Sequence, residues 1–162
     1  MMNKDMEINV LIDVEFEGRL DVGWLQRIAE QALIAEGTAS NVEIGLVITG
    51  QERVQELNRD YRGIDKPTDV LSFGMTQEKP AAPPFVAPPD GILHLGEAII
   101  SYPQAVIQAQ EHKHPVKEEI ALLVVHGVLH LLGYDDEKPA ERRKMRVRET
   151  EIMSQFESGI KG

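Results

Sequence analysis

His126 and His130 stand four residues apart in the most apolar run of the chain, Ile120 to Leu132, which reads as a buried helix. At that spacing two imidazoles project from one helix face. One helix can therefore offer two nitrogens to a single zinc ion. Gly133 suits the end of such a helix, because glycine takes the left-handed backbone that other residues resist. The chain can double back there, and a side chain just past the turn can supply a third ligand. Asp136, six residues beyond His130, is the first choice, with Asp135 and Glu137 as rivals that spacing does not separate. The plain alternative is a pair of core histidines with hydrogen-bond partners. Buried imidazoles without partners are costly, and the glycine stop followed by carboxylates favours a metal. Zinc held by three protein ligands keeps a fourth position for water, whose pKa it can lower to about 7.

A metallopeptidase of the His-Glu-x-x-His type carries its general base beside the first histidine. Here that position is Gly127, which counts against a peptidase. Glu97 or Asp69 can take a proton only if the fold brings one of them near. Arg62 precedes Gly63, Asp65, Lys66 and Pro67, residues of a turn. An arginine held at a turn can grip a phosphate with two parallel hydrogen bonds, and Lys66 invites the same reading more weakly. Spacing alone favours a surface ion pair of Arg62 with Asp65 or Asp69. A metal-activated water and an arginine clamp would together fit phosphodiester cleavage, in which charge develops on phosphate oxygens. His112 and His114 are expected only to favour a helix C-terminus. His94 can face either the site or solvent, and Tyr134 is expected to pack the turn.

The elements that must position these groups follow from periodicity. Alternation from Met6 to Phe16, with Ile8, Val10, Ile12 and Val14 on one side, predicts a strand. Asp21 caps a helix to about Glu36, ended by Gly37, with Trp24, Leu25, Ile28, Ala29, Ala32 and Leu33 as its apolar face. Val42 to Thr49 is a second strand, about Gln51 to Tyr61 a helix with Val54 and Leu57 inward, and Val70 to Phe73 a short strand. Five prolines between Gly74 and Gly91 predict a long loop over about 75–91 rather than a helix or central strand. Ile92 to Ile100 is a fourth strand, with Gly96 as a bend or a close approach. Ser101 caps a helix through about Glu111, Pro115 suits the first position of the histidine helix, and Pro139 starts a last helix to about Phe156. This order predicts one α+β domain over 1–162: a four-stranded mixed sheet packed against about five helices, the His helix central and buried.

The 162 residues suffice for a closed core. With no cysteine, disulfides, thiolate metal sites and cysteine nucleophiles are excluded, so a metal would rest on histidine and carboxylate. No apolar run reaches a membrane span. The first eighteen residues are too acidic for a signal peptide, so a cytoplasmic location is expected. The net charge of −10 argues against a general nucleic-acid binder. It is uneven, however. Acid loads the N-terminus from Asp5 to Asp21, while Arg142, Arg143, Lys144, Arg146 and Arg148 form a basic cluster. That cluster is either a solvated helix face or a phosphate-facing patch beside the metal.

The stretch His126-Gly-Val-Leu-His130-Leu-Leu-Gly-Tyr-Asp-Asp136 resembles the signature of the YbeY family, bacterial rRNA maturation factors described as metal-dependent endoribonucleases. That signature runs His-Gly-x-Leu-His-Leu-x-Gly-Tyr-Asp-His. Leu57 to Arg62 and Asp65 to Phe73 resemble the family's second block, and Leu95-Gly96-Glu97 its Leu-Gly-Asp segment. The resemblance implies zinc ligands at His126, His130 and position 136, with His126 and Arg62 in the catalytic set. It also implies single-strand-specific RNA cleavage in small-subunit rRNA 3′-end maturation and ribosome quality control. The partners it implies are an rRNA precursor and the ribosomal small subunit, with neither DNA nor membrane. The family's third ligand is normally histidine. Asp136 in its place makes the bound water less acidic and Mn²⁺ or Fe²⁺ more plausible beside Zn²⁺. The alternatives are a ribosome-associated factor with a structural metal and no turnover, or a zinc peptidase with a base from elsewhere in the chain.

Overall fold

In the computed structural model the histidine run is a helix laid across a sheet. The structure describes residues 6–38, 41–74 and 91–155. Its strands are β1 (Met6–Ile12), β2 (Val42–Thr49), β3 (Val70–Gly74) and β4 (Leu93–Ser101). Its helices are α1 (Val22–Ala35), α2 (Gln51–Arg62), α3 (Tyr102–His112), α4 (Val116–Leu131) and α5 (Pro139–Ser154). The sheet order is β1-β2-β4-β3, with β1, β2 and β4 parallel and β3 antiparallel to β4. This is the mixed α+β architecture that the alternation of elements predicts. The proline-rich segment 75–90 and Phe156 lie outside the described residues.

Parity along the strands divides the sheet into two faces. Val42, Ile44, Leu46 and Ile48 of β2, with Ile8, Ala98 and Ile100, are buried in the main core, where α1, α3, α4 and α5 also pack. Leu71 and Ile99 form a smaller cluster with Val54 of α2. Helix α4 touches α1, α3, α5, β3 and β4, so it is apolar nearly all round. Side chains such as Val124 and Leu129 are wholly enclosed; each contributes about 1.5–3 kcal/mol by leaving water.

Two glycines set how closely the layers approach. A Cβ on Gly127 would lie 2.7 Å from the Ala98 Cβ, so α4 rests on β4 only because that position is bare. Gly96 has φ +126°, and a Cβ there would lie 2.1 Å from the Phe73 carbonyl oxygen. The β2–β4 register shifts between Glu43 and Ile44, where Ile44 pairs with Gly96. Gly96 is thus a bend with close backbone approach, as its place in a strand suggests.

The first strand stops at Ile12, not Phe16. The Asp13 N–H donates to the Ile48 carbonyl at 2.9 Å. Its carboxylate accepts from the Thr49 hydroxyl at 2.5 Å. Pinned there, the chain coils into a 3-10 turn over Val14–Phe16, and Val14 is 81 % exposed instead of facing the core. Asp21 caps α1 through the Trp24 N–H at 2.8 Å, and Ser101 caps α3 through the Gln104 N–H at 3.2 Å. Pro115 is the N-cap of α4 rather than its first residue. Among the described residues no helix is long and apolar enough to cross a membrane.

Candidate metal centre

His126 and His130 lie on successive turns of α4, their rings tilted edge to face with centroids 4.8 Å apart. Gly133, at φ +107°, turns the chain back across the helix end. Asp136 then faces both rings: its Oδ2 is 3.5 Å from His130 Nε2 and 3.8 Å from His126 Nε2. One ligand atom from each of the three residues lies within 4.8 Å of the others. A tetrahedral ion with bonds of about 2.0–2.1 Å needs donors about 3.3–3.4 Å apart. The donors present, two imidazoles and one carboxylate, suit a divalent cation in chemistry, and the carboxylate's separations from the two rings, 3.5 and 3.8 Å, lie slightly above that span.

Of the three adjacent carboxylates, Asp136 is the one that groups with both rings among the described residues. Asp135 Oδ1 accepts the Glu137 N–H at 3.0 Å, a local turn that engages one oxygen of that carboxylate. Arg142 of α5 donates to the carbonyls of Asp136 and Glu137, at 3.0 and 3.3 Å, and so tethers the loop. Part of the basic cluster therefore serves the fold. Arg148 likewise is engaged with Glu36, Glu151 and the Ala35 carbonyl. Tyr134 packs against the main core and donates its hydroxyl to Glu36 at 2.8 Å, so it packs the turn as expected.

Glu149 is the residue that sequence reasoning missed. From α5 it pairs with His126 Nδ1, fixing that ring with Nε2 toward Asp136. A carboxylate behind a ligand histidine sets the tautomer and orientation and raises basicity. Burial opposes charging of His126. The hydrogen bond and charge of Glu149, with the charges of Asp69 and Asp136, outweigh it and raise the pKa above its ordinary value. The only signal in the sequence was an acidic residue on the helix that follows the turn.

The three residues line a cleft of about 530 Å³, whose wall also includes Arg62, Asp69 and Ser72. Arg62 is the last residue of α2, where Gly63 turns the chain at φ +73°. The surface ion pair favoured by spacing is not formed. Asp65 accepts from Gln55, and Asp69 from Gln108 and the Val70 N–H, while Arg62 pairs with no described residue. Lys66 is exposed and off the cleft wall; its carbonyl accepts from Asn58 at 3.0 Å.

Of the two candidate bases, the fold brings only Asp69 to the cleft. Glu97 lines a separate hollow with Asn9, Gly45 and Val47. His94 lines that same hollow and pairs with Glu43. The expectation that His112 and His114 merely favour a helix C-terminus is corrected. Both ring nitrogens meet the carboxylate of Glu119, which is 1 % exposed, at 3.2 and 2.5 Å.

The family model described as Endoribonuclease YbeY matches residues 13–157. An Endoribonuclease YbeY of Dehalococcoides mccartyi is 52% identical over 136 residues, 82% of this chain and 79% of the relative. One from Roseiflexus sp. (strain RS-1) is 41% identical over 154 residues, 94% of each chain. The solution structure of a Thermotoga maritima protein superposes with a TM-score of 0.56 at 25% identity, covering 94% of this chain and 93% of that one. The matches span the α4 motif and the Arg62 block alike, and on that ground the chain belongs to the YbeY endoribonuclease family.

Proposed function

We propose that this chain is a metal-dependent, single-strand-specific endoribonuclease acting in small-subunit rRNA 3′-end maturation and ribosome quality control. The observation that carries the reading is the convergence of His126, His130 and Asp136 in a cleft whose wall also presents Arg62, which pairs with no described residue. His126, His130 and Asp136 hold one divalent ion, Zn²⁺ first, with Mn²⁺ or Fe²⁺ admitted by the carboxylate ligand. Such an ion supplies Lewis acidity toward a phosphoryl oxygen and makes water acidic enough to attack at neutral pH.

The remaining work falls to the protein's own side chains. Arg62 binds the scissile phosphate through its planar fork and meets the charge that grows on the equatorial oxygens. Lys66, beyond the cleft wall, adds a second cation for the RNA backbone. Asp69 takes the proton of the attacking water. Glu149 pairs with His126 Nδ1, and so would leave Nε2 of that ring to hold the ion. A single strand suits an open cleft, since unstacked nucleotides reach a recessed centre that a duplex does not. An rRNA precursor on the ribosomal small subunit is the substrate in the cytoplasm. Acidity elsewhere on the chain limits general nucleic-acid binding and leaves recognition to the cleft.

A peptidase is disfavoured by a specific contact. Residue 127 faces Ala98 in the sheet, so the position that carries the base in such enzymes has neither a side chain nor room for one.

The test uses purified protein on single-stranded rRNA fragments, with and without chelator, beside His130→Ala and Arg62→Ala. Chelator and His130→Ala are expected to stop cleavage, and Arg62→Ala to slow it about a hundredfold. Equal cleavage by every sample would point to a contaminant and sink the reading. A sharp chelator-induced fall in Tm with no turnover would favour a structural metal instead.

A further inference from the structure

Gln108 of α3 sits between two carboxylates from different parts of the chain. Its Nε2 donates to Glu119 Oε2 of α4 at 2.8 Å and to Asp69 Oδ2, before β3, at 3.2 Å. A side-chain amide nitrogen carries two hydrogens, so one group serves both acceptors. The amide has only one tolerable orientation there, because turning it over would set its oxygen against both carboxylates. Behind it, His112 and His114 clamp the other oxygen of Glu119. The other oxygen of Asp69, Oδ1, accepts the Val70 N–H at 2.8 Å and the Thr68 hydroxyl at 3.4 Å. A carboxylate offers about four acceptor sites; three are taken, and the one that remains is on Oδ2, the oxygen that Gln108 holds.

We propose that Gln108 is a positioning residue for cleavage: its amide, anchored on the buried Glu119, holds the Asp69 carboxylate aimed at the metal cleft. The proposal rests on the reading of Asp69 as proton acceptor given above. It assigns work to a network whose Gln108 and Glu119 are not among the residues that line the cleft. Without the amide, Asp69 is held only through Oδ1, by the Val70 N–H and the Thr68 hydroxyl, and Oδ2 loses its fixed aim; a displacement of about 1 Å at a reacting group can cost about a hundredfold. Because the network acts on Asp69 and not on the ligands or on Arg62, its loss strikes kcat and spares binding.

The experiment pairs Gln108→Met, which keeps length without a donor, with Glu119→Gln in the full chain. Three quantities are measured: kcat and KM on single-stranded RNA, Zn²⁺ affinity by calorimetry, and the Gln108 side-chain amide resonances without RNA. Gln108→Met is expected to lower kcat roughly 10- to 100-fold with KM and Zn²⁺ Kd within about twofold. Glu119→Gln, which keeps an acceptor for the amide, is expected to recover most of kcat. In wild type the amide protons should exchange slowly and shift in Asp69→Asn but not in Arg62→Ala. Zn²⁺ affinity falling in step with kcat would overturn the proposal in favour of a scaffold for the ligands. Unchanged kcat in Gln108→Met would overturn it outright. Should wild type show no chelator-sensitive cleavage, the functional reading fails. The amide spectrum still judges the bridge, and amide signals like those of a solvated glutamine would refute it.

Discussion

Two clusters in this molecule have the same composition, two histidines and a carboxylate within 4.8 Å, yet they are built for opposite ends. In His126, His130 and Asp136 the carboxylate is 41 % exposed, and the ring nitrogens Nε2 turn toward it across a cleft. In His112, His114 and Glu119 the carboxylate is 1 % exposed and already accepts from both rings and from Gln108. The first arrangement leaves donors facing an open space that a cation can fill. The second closes on itself: both oxygens of a buried carboxylate are engaged, and an ion would have to displace hydrogen bonds that this carboxylate needs. Metal-binding potential thus depends on whether the carboxylate faces a cleft or is buried among its own hydrogen bonds, not on which residue types are present.

The sharpest way to break this contrast is to count ions. His130→Ala is expected to abolish tight Zn²⁺ binding, whereas His114→Ala is expected to leave one ion per chain. Two ions per wild-type chain by elemental analysis, falling to one in His114→Ala, would erase the distinction. A smaller effect probes the support of the open cluster. Glu149→Gln keeps a partner for His126 Nδ1 but loses the charge, and Zn²⁺ affinity is expected to drop about 10- to 100-fold. An unchanged Kd would mean that α5 does not orient the ring.

The smallest expected effect concerns the closed cluster and pH. Burial pushes the Glu119 carboxyl up, but hydrogen bonds from His114, Gln108 and His112, with the charge of His112, outweigh it and set the folded pKa below the ordinary 4.5. A lowered folded pKa contributes stability that is fully present above 4.5 and is lost as pH falls through the folded value. The Tm of metal-free protein is therefore expected to fall from pH 5 toward pH 3, and less steeply in Glu119→Gln. Equal slopes would show that Glu119 is not a linked group.

The open cluster was legible because its logic is local. The i,i+4 spacing and the Gly133 stop place three donors within one helix end and its turn, and among the adjacent carboxylates only the three-dimensional grouping singles out Asp136. The closed cluster was not legible, because Gln108 and Glu119 meet across two helices and Asp69 reaches them from a third segment. No period in the sequence encodes such a meeting. Glu149 was hidden for the same reason, since its partner lies 23 residues back. Most of the sheet was legible from alternation. The first strand was overextended because Val14 continues the period of two, while the Asp13 contacts that end the strand are tertiary. The ion pair that spacing favoured for Arg62 is not formed, since Asp65 and Asp69 take amide and backbone donors instead.

Gly127 has a consequence for the history open to this scaffold. A glutamate at that position would complete the peptidase pattern in sequence, one substitution away on paper. In space its Cβ would start 2.7 Å from another methyl carbon. The substitution would have to pry the ligand helix off the strand before any new chemistry began. The tight seat that steadies the two imidazoles thereby bars the shortest mutational road to proteolysis, and a library built at this codon should yield misfolded chains rather than converted enzymes.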